Sequence, residues 1–150
     1  MGPRLTFARE PFAQWHEEAF PLFKRQHAEL HRHGFDLEPD CSLGMTLEAN
    51  NKLLAYTARA DGVLVGYAIF IVCQMAHYKS KTVAELDLMW LEPEHRAGVN
   101  GIKFIRFIEA DIANHADIMR LRAKPDTSLS ALAPRLGFQK GEVVFDKAVR

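Results

Sequence analysis

Two carboxylates are spaced in a way that allows acid–base chemistry. Glu85 and Asp87 alternate with alanine and leucine residues in the segment 84–88, and in a β-strand this period of two places both side chains on one face. Neighbouring carboxylates raise each other's proton affinity, which suits a general base. The segment therefore offers Glu85 or Asp87 as a base. The alternatives are a water relay, a solvated strand face, or an Asp87 that fixes a loop through backbone hydrogen bonds.

A glycine-containing turn follows this segment. Residues 91–104 read LEPEHRAGVNGIKF, with Gly98 and Gly101 on either side of the start of an apolar-periodic segment, 99–114. The free N–H groups at a helix start bind anions, and glycines let an anion approach the backbone. Arg96 adds a guanidinium that suits phosphate oxygens. Because the GxGxxG and GxxxxGK[ST] motifs are absent, we predict a phosphate site of another kind, with an ordinary glycine-containing helix start as the alternative.

The remaining periodicities predict the elements that position these residues. The first half begins with a strand at 5–8 and an amphipathic helix at 12–33, which is kinked or split at Pro21 and has Gly34 as its C-cap. A loop at 34–50 with room for a short helix follows, and then a hairpin of strands 52–59 and 63–72 around Gly62. The second half comprises a polar loop at 77–82, a strand at 83–91, the helix 99–114, a strand at 118–123, a helix at 127–136 opened by Asp126 or Thr127, and a closing strand at 142–149. This order predicts one mixed α/β domain, residues 1–150, around a central sheet.

Composition limits the classes of function. The 150 residues include 19 Lys+Arg and 19 Asp+Glu, so the net charge is zero, and we expect neither a general nucleic-acid binder nor a membrane-surface protein. The longest apolar run, 67–76, is too short to span a bilayer, and the N-terminus lacks the apolar segment of a signal peptide. Cys41 and Cys73 are expected to be reduced thiols. We therefore expect a cytoplasmic protein.

The seven histidines raise the question of a metal site. His27 and His31 lie four residues apart on the first predicted helix, followed by His33, but the sequence between the first two is HAELH and not HExxH. The zinc-protease motif is therefore absent. We interpret these residues as a solvated helix face and expect no metal.

The turn and its neighbours resemble the GNAT acetyltransferase superfamily. LEPEHRAGVNGIKFI is similar to the acyl-CoA loop of that superfamily, with Leu91, Pro93, Arg96, Gly98 and Gly101 in the matching places. The spacing departs by one residue: the family's Q/R-x-x-G-x-G/A fits as His95-Gly98-Asn100 with two substitutions or as Arg96-Val99-Gly101 with one. This variant resembles phage and bacterial members. Three more segments are similar to family elements in the family's order: ARADGVLVGYAIFIV to its central hairpin, AHYKSKTVAELDLMWLEPEHR to its phage-like loop and strand, and LSALAPRLGF to its terminal LYEKLGF element.

The resemblance implies a fold and a cofactor. The fold is a central twisted mixed β-sheet, flanked by helices and splayed between its fourth and fifth strands, here 83–91 and 118–123. The cofactor is acetyl-CoA, with its pantetheine along Trp90 and Leu91. The residues implied to hold the rest of the cofactor are Arg96, Ala97, Gly98, Val99, Asn100, Gly101, Ile102, Asp126 and Ser128. Asp126 stands where the family often has an asparagine that contacts CoA, although it is also a candidate helix N-cap.

The resemblance also implies an activity, the transfer of acetyl from acetyl-CoA to a primary amine by direct attack. The N–H of Leu91 is the candidate donor to the thioester oxygen. The tyrosine that often protonates the leaving thiolate in this family is replaced by Ala133. Either the thiolate leaves unaided, since its pKa is near 8.5, or Tyr78 or Ser128 donates. A protein that binds CoA without catalysis, with a regulatory or interaction role, is the alternative function.

The acceptor is less well defined. The segments 34–50 and 75–82 are expected to form the walls of its site, and the first contains Asp36, Glu38, Asp40 and Glu48. These acids favour a cationic amine, in a small molecule or a protein. The residues leave the oligomeric state open; dimers are frequent in the resembled family, so a homodimer is one candidate state.

Overall fold

The structure is a computed structural model that describes residues 3–31 and 33–150. Its elements, in chain order, are β1 (Leu5–Arg9), α1 (Phe12–Trp15), α2 (Phe20–Leu30), α3 (Cys41–Ala49), β2 (Leu53–Ala60), β3 (Val63–Met75), β4 (Tyr78–Leu91), a short 3-10 helix (Pro93–His95), α4 (Asn100–Ile112), β5 (Ile118–Arg120), α5 (Ser128–Leu132) and a second 3-10 helix (Ala133–Leu136). The strands form one sheet in the order β1-β2-β3-β4-β5. The pairs β1–β2, β2–β3 and β3–β4 are antiparallel, and the pair β4–β5 is parallel.

Helices cover both faces of the sheet. On the α4 face, Phe104, Ile108 and Ile112 are buried against the sheet, and their spacing of four residues is the reason that this segment forms an amphipathic helix. The α2 face packs side chains from α1 and α2, including Trp15 and Phe23, against β2, β3 and β4. The sheet is therefore the middle layer of the domain. No helix in the described part of the chain is both long and apolar enough to span a membrane.

A β-bulge interrupts β4. Phe70 of β3 pairs with Leu86 and Ile69 pairs with Leu88, so Asp87 has no partner in the ladder. Such an extra residue reverses the alternation of side chains between the two faces. Leu86 accordingly packs on the α4 face, whereas Trp90 packs on the α2 face. Side chains of β4 therefore alternate between the two faces before the bulge and again after it, but the alternation does not continue across the bulge.

The sheet opens between β4 and β5. The two strands pair only through Val83, Ala84 and Glu85 of β4, and β4 continues to Leu91 without a β5 partner. We call the space beside residues 86–91 of β4 the fork. On its other edge, β4 approaches β3 so closely that a Cβ on Gly66 would lie 2.8 Å from the Trp90 carbonyl oxygen.

Several predicted elements are confirmed by the structure. The amphipathic segment 12–33 is split into α1 and α2, and the second of these helices has a proline at its start. In the β2–β3 hairpin, Asp61 and Gly62 have φ of 50° and 82°, as a type I′ turn requires. The short helix allowed for in 34–50 is α3, capped by Asp40, whose side chain accepts from the Leu43 N–H.

Three predicted elements are wrong. Gly34 is not the C-cap, because α2 ends at Leu30 with His31 as its cap. The polar segment 77–82 is not a loop: most of it belongs to β4, whose pairing with β3 continues to Tyr78, so hydrogen bonding along the hairpin outweighs its polarity. The closing strand 142–149 is absent, and residues 139–150 have no regular structure. A strand needs a neighbour to pair with, and β5, the edge strand, ends at Arg120.

Candidate active site

A cavity of about 1290 Å³ lies where the fork, α2, α3 and the start of α4 meet. It brings together most of the predicted site residues: Asp87, Trp90, Leu91, Arg96, Gly98, Gly101, Ile102, Asp126 and Ser128 line it. The predicted residues outside its lining are Tyr78, Glu85, Ala97, Val99 and Asn100. Residues on a strand, a turn and two helices therefore face one space.

The start of α4 leaves backbone donors available. Val99 is the N-cap residue and makes no side-chain capping hydrogen bond. The first hydrogen bond of the helix runs from Lys103 N–H to Val99 O at 2.9 Å, so the amides of residues 100–102 have no acceptor within the helix. Gly98 has a φ of 71°, a conformation that favours glycine. A Cβ on Gly101 would meet no protein atom closer than 3.9 Å. This geometry fits a bound anion such as a diphosphate.

Arg96 extends from this turn toward α2. Its Nε donates to the Leu91 carbonyl at 2.7 Å, and its terminal nitrogens donate to the Glu29 carboxylate at 3.2 and 3.4 Å. The guanidinium also lies 4.4 Å from the centre of the Trp90 ring, a cation–π contact. The predicted phosphate ligand is therefore placed in the cavity wall and is paired with a carboxylate of this chain.

The backbone of β4 presents polar groups to the fork. Glu92 N–H donates to Val65 O of β3 at 2.8 Å. Because successive N–H groups along a strand point to opposite sides, the N–H of Leu91 points away from β3, into the fork. The Leu91 carbonyl accepts from Arg96, and the Met89 carbonyl accepts from Gln26 at 3.1 Å. On the fork side of β4, these two backbone carbonyls therefore accept hydrogen bonds from side chains and not from a neighbouring strand.

Gln26 has a role that the sequence reasoning missed. It is buried on α2, and its amide oxygen accepts the hydroxyl hydrogen of Tyr67 while its nitrogen donates to Met89. The available signal was a polar residue within the apolar face of the first predicted helix. Gln26 thus fastens α2 to the strand that bears the candidate base.

The two candidate bases have different surroundings. Asp87, the bulge residue, is exposed to the cavity, yet the protein around it raises the pKa of its carboxyl by desolvation, and Arg122 opposes this rise. Glu85 is paired with Arg122 and, at 3.8 Å, with Arg120. The two arginines balance the negative charge of Glu85, and Glu85 also lies outside the cavity lining. The geometry therefore favours Asp87 as the proton acceptor.

Arg122 was also missed by the sequence reasoning. It follows β5 and lines the cavity, where it forms an ion pair with Glu85 and lowers the pKa of Asp87. The signal lay in the segment IMRLRA, where Arg120 and Arg122 alternate with apolar residues, so that a strand would present both on one face. β5 and the residues after it therefore supply the cations that face the carboxylates of β4.

No protein-family model and no curated protein matches this chain, but solved structures do. An aminoglycoside acetyltransferase from an uncultured soil metagenomic sample, solved with sisomicin, superposes with a TM-score of 0.74 at 16% identity, over 97% of both chains. A predicted acetyltransferase from Clostridium acetobutylicum, solved with acetyl-CoA, gives 0.71 at 14% identity, also over 97% of both. A ribosomal-protein-alanine N-acetyltransferase from Brucella melitensis biovar Abortus 2308 gives 0.68 at 19% identity, over 98% of this chain and 99% of that one.

The chain has the GNAT fold. The expected central mixed sheet, flanked by helices and open between its fourth and fifth strands, is thereby confirmed. The fork and the uncapped start of α4 are thus features of a GNAT-type domain, formed here by residues of the segment that carried the sequence resemblance.

None of the three tyrosines of the chain lines the cavity. Ala133 starts the second 3-10 helix, Tyr56 and Tyr67 are buried in the core, and Tyr78 is 61% exposed at the first residue of β4. Nine residues of extended chain separate Tyr78 from Asp87, roughly 30 Å, so the two side chains do not share a site. Ser128 does line the cavity.

The structure also shows where two of the predicted acidic residues, Asp126 and Glu48, lie relative to the cavity. Asp126, the other predicted CoA contact near α5, lines the cavity but does not cap α5, because Thr127 is the N-cap and its hydroxyl accepts from the Ser130 N–H. Glu48 accepts the Phe12 N–H at 2.8 Å and lies outside the lining. It therefore fixes the start of α1 and does not form part of the acceptor wall.

Charge is unevenly distributed around the cavity. The side formed by α2 and the segment that follows it bears carboxylates, namely Glu29, Asp36, Glu38 and Asp40. The side formed by the turn before α4 and the residues after β5 bears four basic side chains, Arg96, Arg122, Lys124 and Arg135, and one carboxylate, Asp126. The GNAT cavity thus has a cationic end, which suits a polyanionic ligand, and an acidic end, which suits a cation.

His27 of α2 and its C-cap residue His31 form hydrogen bonds with backbone carbonyls of the same part of the chain. The rings of His27 and His31 stack with centroids 4.6 Å apart, and each ring bonds a backbone carbonyl, of Phe35 and His27 respectively. Over residues 3–31 and 33–150, no group of three or more His, Cys, Asp or Glu side chains is arranged to hold a metal.

Proposed function

We propose that the protein is a GNAT-type N-acetyltransferase that transfers acetyl from acetyl-CoA to a primary amine by direct attack. The observation that carries the proposal is the composition of one cavity. It contains the uncapped start of α4, the fork edge of β4 and the Asp87 carboxylate. These three features support, in that order along the cavity, a site for the diphosphate, a channel for the extended pantetheine and a base for the amine.

The cofactor is held by backbone and by the cationic end of the cavity. The turn Arg96, Ala97, Gly98, Val99, Asn100, Gly101 and Ile102 binds the diphosphate through the free amides of α4. Trp90 and Leu91 flank the pantetheine in the fork, as an added strand would be flanked, and Asp126 and Ser128 lie near its other side. When bound, acetyl-CoA supplies the acetyl group as a thioester, which an amine can attack.

Asp87 and Leu91 carry the chemistry. Asp87 takes a proton from the ammonium form of the acceptor, because only the neutral amine is a nucleophile. The Leu91 N–H donates to the thioester oxygen as the amine nitrogen bonds to the carbonyl carbon and the carbon–sulfur bond breaks. The proton that the new amide nitrogen loses passes to water, and the departing thiolate is protonated by water or by Ser128. Glu85 is the second candidate base, reached through a water relay because it lies outside the cavity lining.

The acceptor we propose is a small cationic amine. The acidic end of the cavity supports this class, and one protein of the same fold was solved with the aminoglycoside sisomicin. Another is named a ribosomal-protein-alanine N-acetyltransferase, so a protein N-terminus is the competing acceptor. Cytoplasmic location and a homodimer stay predictions.

One observation favours a second function, CoA binding without catalysis. None of the three tyrosines lines the cavity, and Ala133 stands at the position of the family's proton donor. Loss of a general acid lowers a rate by about 10²-fold or more. Such a protein would keep the cofactor site in a regulatory or interaction role.

A colorimetric thiol-release assay with a panel of polyamines, aminoglycosides and an alanine-initiated peptide separates the two functions. Turnover that Asp87→Asn reduces strongly supports the transferase. Calorimetric binding of acetyl-CoA without turnover on any amine supports the second function. If acetyl-CoA does not bind, and Arg96→Ala changes nothing, both are wrong and the domain is an interaction module.

A further inference from the structure

Arg96 and Glu29, which both line the cavity, form an ion pair. Glu29 lies on α2, at the acidic end, and Arg96 lies in the turn before α4. The two terminal nitrogens of Arg96 donate to the two carboxylate oxygens at 3.2 and 3.4 Å. The side chains are 33% and 45% exposed, so solvent screens the pair and it is easily broken.

The guanidinium is held from its other side. Its Nε donates to the Leu91 carbonyl, and its central carbon lies over the Trp90 ring, 4.4 Å from the ring centre. These contacts leave the two terminal nitrogens as the part of Arg96 that meets an anion. A carboxylate and a phosphate both offer two oxygens to that fork of donors. Glu29 therefore occupies the position that a phosphate of a ligand would take on Arg96.

We propose that Glu29 alternates between Arg96 and the acceptor's ammonium group, an inference that rests on the proposed function. Arg96 exchanges the Glu29 carboxylate for a diphosphate oxygen when CoA binds. The released carboxylate then joins Asp36, Glu38 and Asp40 at the acidic end of the cavity. Glu29 is thus a specificity-determining residue whose availability depends on the cofactor.

The exchange requires only side-chain movement. α2 stays fastened to the end of β4 by two other contacts, the Arg25–Glu92 ion pair and the hydrogen bond from Gln26 to the Met89 carbonyl. Glu92 is buried, with 10% of its side chain exposed. Glu29 can therefore change partner while the helix that bears it keeps its place.

The proposal links two binding equilibria. Because Glu29 competes with CoA for Arg96, it weakens CoA binding. Because bound CoA releases the Glu29 carboxylate, it strengthens acceptor binding. By thermodynamic reciprocity the acceptor must strengthen CoA binding by the same factor. Removing the carboxylate of Glu29 should therefore tighten CoA binding while it weakens polyamine binding.

Calorimetric titration with CoA tests the first half on wild type, Glu29→Gln and Glu109→Gln. Glu109 is the matched control, because it pairs with Arg106 at 3.3 Å, is 43% exposed and lies outside the cavity. We expect Glu29→Gln to bind CoA about two- to fivefold more tightly, the range for release of an exposed ion pair, and Glu109→Gln to match wild type. Equal or weaker binding by Glu29→Gln, or the same gain in both variants, would overturn the proposal.

Titration with spermidine, in the presence and absence of CoA, tests the second half. Wild type should bind spermidine about fivefold or more tightly when CoA is present, and Glu29→Gln should lose that difference. No spermidine binding to the wild-type CoA complex, or a difference that Glu29→Gln keeps, would refute the acceptor role. Absence of CoA binding by wild type refutes the proposed function itself, whereas equal CoA affinity in wild type and Glu29→Gln refutes only the exchange.

Discussion

The two edges of β4 differ although they belong to one strand. Toward β3 the ladder runs from Tyr78 to Leu91, interrupted by the bulge at Asp87 and by a second irregularity between Tyr78 and Thr82. Toward β5 it covers only Val83, Ala84 and Glu85. On the closed edge the backbone groups are satisfied by a neighbouring strand. On the open edge the carbonyls of Met89 and Leu91 accept from side chains.

This difference shows how a sheet can expose a strand edge inside a folded domain. Unpaired backbone groups must find partners, and exposed strand edges attract other chains. Side chains can release a carbonyl to a ligand, whereas a paired strand cannot without unfolding. The closed edge therefore contributes to stability and the open edge is available for binding, and substitutions should separate the two roles.

The largest expected effect is on catalysis at the open edge. Asp87→Asn should lower kcat/KM for acetyl transfer by about 10²- to 10³-fold, because the proposed proton acceptor is lost. Steady-state kinetics with acetyl-CoA and an amine substrate measures this, with Glu85→Gln as the comparison and a smaller loss expected there. A near-normal rate for Asp87→Asn, with a large loss for Glu85→Gln, would reverse the assignment of the base.

Asp87→Asn should also change the free energy of unfolding, and the direction of this change follows from the pKa of Asp87. Desolvation by the cavity walls raises the pKa of Asp87 in the folded state, although the side chain is exposed to the cavity, so the charged form is disfavoured by folding. The stability associated with the protonated form is present below the unfolded pKa and is lost as pH rises through the folded pKa. At neutral pH, Asp87→Asn should therefore stabilise the fold slightly, on the order of 0.5 kcal/mol after allowance for solvent screening, as measured by urea unfolding.

The next effect concerns the closed edge. Gly66→Ala should lower the free energy of unfolding by about 1–3 kcal/mol, because the new Cβ would lie 2.8 Å from the Trp90 carbonyl oxygen and from Cδ1 of Leu91. Urea denaturation measures the loss. An unchanged midpoint would show that β3 and β4 can separate there without cost, and the contrast between the edges would then fail.

Gly101→Ala is the counterpart on the ligand side. Its Cβ meets no protein atom closer than 3.9 Å, so stability should stay the same or rise by up to about 1 kcal/mol, as alanine favours a helix. CoA affinity should fall about tenfold, as expected for one disturbed hydrogen bond to a charged group. Calorimetry with CoA that shows full affinity would indicate that the diphosphate does not approach this amide.

The smallest effect is a shift in pH dependence. Desolvation raises the pKa of Asp87 and Arg122 opposes that rise, so Arg122→Gln should move the acid limb of kcat/KM to higher pH, by less than about one unit. Arg120→Gln is the control, since it removes the same charge from the longer, 3.8 Å pair with Glu85. Equal shifts in both variants would show that net charge, and not the position of Arg122, sets the profile.

The sequence alone determined the features that depend on neighbours along the chain. The apolar spacing of α4, the Asp61–Gly62 turn and the glycines before α4 were readable because helix burial, turn geometry and loss of a side chain are local properties. These features sufficed for the order of the elements from β1 to α5, apart from the polar segment 77–82, and for the likeness to GNAT proteins. The residues of the turn before α4 stay a prediction for cofactor binding.

The tertiary structure decided what depends on partners distant in sequence. The bulge at Asp87 was hidden in an alternating pattern, because it arises where Leu86 packs on α4 and Trp90 packs on the opposite face. Gln26 and Arg122 come to the cavity from α2 and from the chain after β5, and 142–149 has strand composition but no strand to pair with. Local propensity sets what a segment can form, whereas pairing and contact are fixed only when the chain brings its partners together.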